Sequence, residues 1–540
     1  MATKTHSTPR LVNRFLLWFC KDELVESIEG DLFEQYQFDR SSKSKIQADL
    51  AYFIHVLNFI RPFALKTTKT SSRNIMTRHY FSFAFRNILK HKPHSAMNIL
   101  SLAIGIACFI FIFTYVKDEM SYDKFHTDYQ RIYRIPIDFI NDNGERLPDA
   151  TTPPALAPAL KNEFAEIEEV VRIFPMWGGS YMMGPNPDNL FHEEEILRVD
   201  PSFLKLFDFT LLKGIPDSAL NQPTNIILTE RMAKKYFGDT PAMGKSVIVN
   251  SGTEREFTVT GIVNDVPYNS HFTFDFLMPI TFSNIDENWG WYNYYTYVKL
   301  QKNATIEQLE PKLQPMFESH IEIDEGELPN IIYSQALEDI HLYSQLKWEL
   351  GQNGDINNIY FFSALGIFVL IVSLINYLNL SIAMAFNRSK EVGVRKVFGA
   401  YKSFIGKQLL VESFLLLFTS LVLGILFSEV LLTAFEPLMG KKLSVFQPEN
   451  MQFLALMSIV TVSIGLLAGL YPAFHMSSFS TSRIVKVMLG TAGSSGSVEG
   501  IRKGLLVFQF SISVIMIVGT ITVYQQLEFF RKYDLGFNKG

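Results

Sequence analysis

The chain has 540 residues, 48% apolar and 19% charged, with a mean hydropathy of +0.11. That is too apolar for one soluble globule of this length and too charged for a protein lying wholly within a bilayer. A membrane protein with a large aqueous part fits both numbers. Its two cysteines, Cys20 and Cys108, are too far apart in sequence to suggest a disulfide framework.

The polar stretch 1–10 is followed by an apolar stretch, 11–20, that Arg14 interrupts, so no cleavable signal is read there. Leu11, Phe15, Leu16 and Phe19 share one helical face, and 23–36 and 46–63 predict two further helices of a small helical unit. Residues 78–92 mix Phe81, Phe83, Phe85, Ile88 and Leu89 with Arg78, Arg86, Lys90 and Lys92. This pattern suits a helix lying at the membrane interface, or an ordinary juxtamembrane anchor.

Five stretches are long and apolar enough to span a bilayer, at 95–116, 360–386, 413–435, 451–474 and 505–524. Glu429, near one end of the third, is their single charge. A mid-bilayer charge costs about 2.5–3.5 kcal/mol. Residues 51–94 carry eight Lys and Arg and no acidic residue. The segment between spans two and three carries Arg388, Lys390, Arg395, Lys396, Lys402 and Lys407 against Glu391. That between spans four and five carries Arg483, Lys486, Arg502 and Lys503. All three are expected on the cytoplasmic side, as alternation from a cytoplasmic N-terminus also requires.

Residues 117–358 then form an external domain with 38 acidic and 19 basic residues, a local charge near −19. Alternating runs at 246–249, 257–262 and 294–300 predict strands. Residues 155–164 and 229–237 predict helices, the second with Thr229 as N-cap and Gly238 as stop. Asn143-Gly144, Pro187-Asp188 and Gly354-Asp355 mark turns. The fold class expected is a multi-pass α-helical membrane protein with a large α+β extracytoplasmic domain.

Catalytic motifs find little support. The segment 238–246 has five residues where a phosphate-binding loop needs four, and reads as a turn. His192-Glu193-Glu194-Glu195 lacks the second histidine of a zinc motif, the other external histidines (His126, His271, His320, His341) are scattered, and there is no nucleophile elbow. No catalytic, cofactor or metal residue is assigned, and no nucleic-acid partner is expected.

Residues 388–400 read as a short amphipathic helix between two spans, with Val394, Val397 and Phe398 on one face, Arg395 and Lys396 polar, and Gly399 at its end. Such a helix can pass force to a soluble partner; a plain positive-inside loop is the alternative. In span four, Gly465 and Gly469 have the small-xxx-small spacing of close helix packing, and Pro472 is expected to end that helix. Asn376 and Asn379, one turn apart in span two, either bond a neighbouring helix or lie near the interface.

Taken in order, these residues resemble the MacB/FtsX/LolE class of ABC transporter permeases over nearly the whole chain. Residues 98–107 (NILSLAIGIA) are similar to the first span of that class. Residues 200–207 (DPSFLKLF), 228–244 and 259–271 are similar to a MacB-like external domain, and 388–400 and 468–473 (AGLYPA) to the permease core. Residues 8–36, with EGDLFEQY at 29–36, resemble a permease prefix domain.

The resemblance implies a domain plan: a prefix domain at 1–75, a juxtamembrane helix at 76–94, a first span at 95–116 and a MacB-like periplasmic domain at 117–358. An FtsX-like domain at 359–475, a linker at 476–504 and a fifth span at 505–525 follow. It implies that Arg388, Glu391, Gly393, Arg395, Lys396, Phe398 and Gly399 dock on a separate ABC ATPase subunit, whose ATP cycle is relayed mechanically to the periplasmic side to export or extract a substrate. It further implies an inner-membrane location amid membrane lipid and a homo- or heterodimeric permease, with a periplasmic adaptor or outer-membrane protein as a further candidate partner. A signalling subunit that activates a periplasmic partner without transport is the alternative, and an anchored extracytoplasmic enzyme a third reading. Span five, with Phe508-Gln509-Phe510, resembles the start of a second module, so the expectation is a truncated two-module permease, or a shorter one that needs a partner permease.

Overall fold

The structure, a computed structural model, describes residues 8–9, 12, 16, 22–42, 44–58, 72–176, 181–250, 253–282, 284–322, 328–398, 401–478 and 496–532. The expected helix at 11–19, apart from Val12 and Leu16, lies outside them, as do 59–63, Arg483, Lys486 and Gly399. The chain divides into two compact units: residues 1–96, 385–416 and 469–493 form one, and residues 97–384, 417–468 and 494–540 the other.

In the first unit, α1 (Asp22–Ser42) packs on α2 (Lys45–Asn58). Ile28, Leu32 and Tyr36 recur every fourth residue on one helix and Ala48, Tyr52 and Val56 on the other, so each helix presents one buried stripe. Tyr36 meets Tyr52 edge-on and donates to Asp49 Oδ1 at 2.6 Å. The Ser44 amide bonds Gln47 Oε1, half of a capping box at the start of α2. The helix α3 (Ser72–Lys90) buries Tyr80 and Ala84 and exposes Phe81, Phe85 and Leu89.

Most of α4 (Lys92–Glu119) belongs to the second unit, from residue 97 on; its 28 residues reach about 42 Å, more than a bilayer core requires. The strands that follow are β1 (Ile132–Arg134), β2 (Ile137–Ile140), β3 (Arg146–Asp149), β4 (Ile167–Pro175), β5 (Tyr181–Asn186), β6 (Asn189–Glu193), β7 (Ile196–Val199), β8 (Leu211–Gly214), β9 (Asn225–Thr229), β10 (Ser246–Asn250), β11 (Glu254–Val263), β12 (Phe276–Pro279), β13 (Tyr295–Leu300), β14 (Ile331–Ile332) and β15 (Gln335–Ala336). Interleaved with them are α5 (Leu156–Glu163), α6 (Phe203–Leu206), α7 (Glu230–Phe237), α8 (Ile306–His320) and α9 (Leu337–Tyr343).

Twelve strands form one mixed sheet in the order β15-β1-β13-β4-β7-β12-β9-β11-β10-β5-β6, with β8 on β11, while β14-β2-β3 form a second sheet. Every residue of β9, β12 and β13 is buried, the pattern of strands covered on both faces. Leu156 and Leu160 of α5 and Leu309, Leu313 and Phe317 of α8 pack on Ile167, Val298 and Leu300. Elsewhere Phe203, Phe207, Phe209, Phe272 and Phe274 pack ring against ring. Thr229 caps α7 by accepting from the Met232 amide, and Gly238, at φ +58°, ends it. The segment 238–245 is a turn: the Gly244 amide bonds Val259 O and Lys245 Nζ bonds Thr240.

Four more long helices follow: α10 (Ile356–Val397), α11 (Lys402–Met439), α12 (Met451–Ser478) and α13 (Gly496–Lys532). Five helices in all are long and apolar enough to cross a membrane among the described residues. Two expectations are corrected here. The stretch from Arg388 to Val397 is the end of the 42-residue α10 and not a separate helix; it holds no proline, and Gly393 alone costs a helix only about 1 kcal/mol. The helix α12 continues through position 472 to Ser478. A proline forfeits one backbone bond there, which membrane helices tolerate.

Candidate functional site

The spans approach one another at glycines. A Cβ on Gly105 of α4 would run into Ser373 Oγ of α10, and one on Gly424 of α11 would lie 2.7 Å from Ile106 Cγ2. Gly465 of α12 lies against Leu417 of α11, where a Cβ would run into Leu417 Cδ2. The backbone of α12 passes through Gly469. The first span is thus in contact with the second and third. Asn379 is buried and its amide finds no partner among the described residues, whereas Asn376 is half-buried.

Where α4 leaves its apolar stretch it carries Lys117, Asp118 and Glu119. Carboxylates at a helix C-terminus oppose the macrodipole and require a cation. Lys441 supplies it. Gly440, at φ +65°, ends α11 by donating its amide to Glu436 O and turns the chain back. Lys441 Nζ then lies 3.1 Å from Asp118 Oδ2 and 2.7 Å from Glu119 Oε1. The second Glu119 oxygen bonds His341 Nε2 of α9 at 2.6 Å. Tyr122 stacks on His341, with Lys441 Nζ 4.7 Å from the centre of its ring. All four charged or ionisable groups are largely buried. Burial alone would lower the Lys441 pKa, but the bond to Glu119 and the charge of Asp118 raise it on balance.

The loop behind Lys441 is equally fixed. Glu429 accepts from Ser444 Oγ at 2.6 Å and the Val445 amide at 2.9 Å, and Lys117 Nζ donates to Glu449 O at 2.9 Å. The single charge in the five spans therefore anchors the loop between the third and fourth. Sequence reading missed Lys441. The signal was a lysine pair, Lys441-Lys442, on the side where the positive-inside rule expects few.

At the opposite ends of these helices, the connector between α10 and α11 packs on α3. Arg395 stands 4.7 Å above the ring of Phe83 and donates to Gln408 Oε1 at 3.1 Å. Tyr80 meets Phe404, and Asn87 donates to Glu412 Oε2 at 2.8 Å. Phe398 is 86% exposed and Tyr401 82%. This inverts the expected amphipathic pattern: the arginine packs inward and the phenylalanine points to solvent. Arg388, Glu391, Gly393 and Lys396 lie on the same helical backbone.

Residues 95–316 match the family model of the MacB-like periplasmic core domain, and residues 363–481 that of the FtsX-like permease C-terminal domain. Together the two matches cover more than half of the chain. The chain is an ABC permease of the MacB/FtsX type.

Solved structures similar to this permease include a domain of a permease protein from Porphyromonas gingivalis, 24% identical, covering 44% of this chain and 98% of that one at a TM-score of 0.36. The periplasmic region of MacB from Actinobacillus actinomycetemcomitans is 18% identical, covering 37% and 87% at 0.27. The extracellular domain of the ABC-type transporter YknZ from Gram-positive bacteria is 14% identical, covering 35% and 93% at 0.25. No curated protein matches the permease. Permeases of this type generally work with an ABC ATPase. Among its described residues, no group of three or more His, Cys, Asp or Glu side chains could hold a metal ion.

Proposed function

We propose that this permease couples ATP hydrolysis by a separate ATPase to export or extraction on the periplasmic side by mechanotransmission. It sits in the inner membrane with its N-terminus in the cytoplasm, as the basic connectors favour. The observation that carries the reading is the Lys441 clasp. One ammonium joins the loop of spans three and four to the end of span one, and Glu119 passes the link to His341 of the domain. A shift among the spans would therefore be felt at the base of the domain. At the other end, exposed Phe398 and Tyr401 belong to the ATPase-docking surface, which the rest of the basic connector is assigned to complete, and Gly465 supports close packing of span four.

The test uses the full permease reconstituted with its ATPase and a fluorophore on Lys302→Cys, an exposed position of the domain. ATP is expected to change the signal. In Lys441→Met the hydrolysis should continue while the signal no longer responds. A Lys441→Met permease whose domain still follows ATP would refute the clasp as the route of transmission.

A further inference from the structure

A cleft in the extracytoplasmic domain, lined by none of the clasp residues, has the makings of a ligand site. Its cavity, about 360 Å³, is walled by Phe139, Phe174, Tyr292, Tyr295 and Trp348, with Asp149 among them.

A volume of about 360 Å³ is at the small end of the range for small-molecule sites.

Three features single the cleft out. First, Asp149 is a buried carboxylate that makes no ion-pair contact among the described residues, the charge of Lys347 acting on it from beyond that distance. Its Oδ1 accepts from the Thr151 amide at 2.8 Å and the Thr151 hydroxyl at 2.6 Å, while Oδ2 takes no hydrogen bond among those residues. Second, Trp348 is 67% exposed and stands at φ +56°, a backbone region that bulky residues avoid. It is held there because the Lys347 amide bonds Pro148 O, the Ala150 amide bonds Lys347 O, and Tyr295 Oη donates to Trp348 O. Third, Phe139 and Tyr292 meet edge-to-face at 4.8 Å, so the aromatic wall is a packed surface.

Aromatic faces present negative potential, and a carboxylate beside them adds a full charge. An anion would be repelled here, and a neutral apolar ligand would strip water from Asp149 without replacing it. The domain charge, near −19, draws the same sign of ligand. We propose that the cleft binds a small organic cation, an alkylated ammonium carried against Trp348 and neutralised by Asp149.

The test titrates the full-length permease in maltoside micelles with choline, following tryptophan fluorescence at constant ionic strength. Its neutral carbon isostere, 3,3-dimethylbutan-1-ol, is run in parallel. A saturable response to choline alone is expected. Asp149→Asn, which keeps an acceptor for Thr151, should weaken it by about tenfold or more. Tyr292→Leu should weaken it similarly while leaving Trp348 in place as reporter. An equal response to the isostere, no saturable response to choline, or unchanged affinity in both variants would overturn the proposal.

Discussion

Lys441 and Glu119 are 322 residues apart in the chain and 2.7 Å apart in space. The pair closes because two helices end badly on their own: α4 finishes on two acids, and α11 finishes on a glycine that turns a lysine back toward them. Removing one partner of such a buried pair leaves the other charge without compensation, at about 3–5 kcal/mol. Lys441→Met is therefore expected to lower the unfolding midpoint of the purified permease, and Glu119→Gln added to it should recover part of the loss. Equal midpoints for wild type and Lys441→Met would show that the clasp does not contribute.

The connector separates two roles that look alike in sequence. Phe398 is free to meet a partner, whereas Arg395 is engaged with Phe83 and Gln408. Phe398→Asp should abolish co-purification of the ATPase with little change in thermal stability, costing about 2 kcal/mol or more of binding if the residue is a hot spot. Arg395→Glu should instead lower stability. Pull-down and differential scanning on the same preparations distinguish the two.

Much of the domain could be read before the fold was known. The strand β10 alternates, with Val247 and Val249 buried, and Thr229 and Gly238 bracket α7 as their side chains and backbone require. The five spans follow from apolar length alone. The inward turn of Arg395 was not legible, because its stacking partner Phe83 belongs to a distant helix. Nor was the clasp, which depends on one backbone turn at Gly440. Gly105 and Gly424 look like any glycines of a membrane helix until a neighbour is seen at their surface.

Those glycines make a third prediction. Gly105→Ala forces a methyl into the Ser373 side chain and should cost about 1–3 kcal/mol, while Gly500→Ala, with nothing within 4 Å, should be neutral or slightly stabilising. Thermal unfolding in detergent compares the two directly. A Gly105→Ala permease as stable as wild type would mean that the spans do not pack this closely.

Acid should loosen the external domain through His126. Burial pushes its pKa from 6.5 down to about 4, and its Nδ1 accepts the Asp208 amide, which only the neutral ring can do. The unfolded chain takes up a proton below pH 6.5 while the folded one resists until about pH 4. The stability is thus complete above 6.5 and is lost as pH falls through that window, by about 3 kcal/mol at most. His126→Gln should flatten this slope between pH 7 and 4.5 in denaturant titrations, and an unchanged slope would exclude His126 as its source.

The strands nearest the two membrane connections, β1 after span one and β15 before span two, are neighbours joined by only two residue pairs, Tyr133↔Ala336 and Arg134↔Gln335. Any tension that drew those spans apart would load this short seam before the rest of the sheet. Arg134 acts there as a rivet: fully buried, it grips Gln335, Ser344 and both oxygens of Glu349. Under such a load, Arg134 would keep the seam closed through partners that lie outside the two paired strands as well as within them.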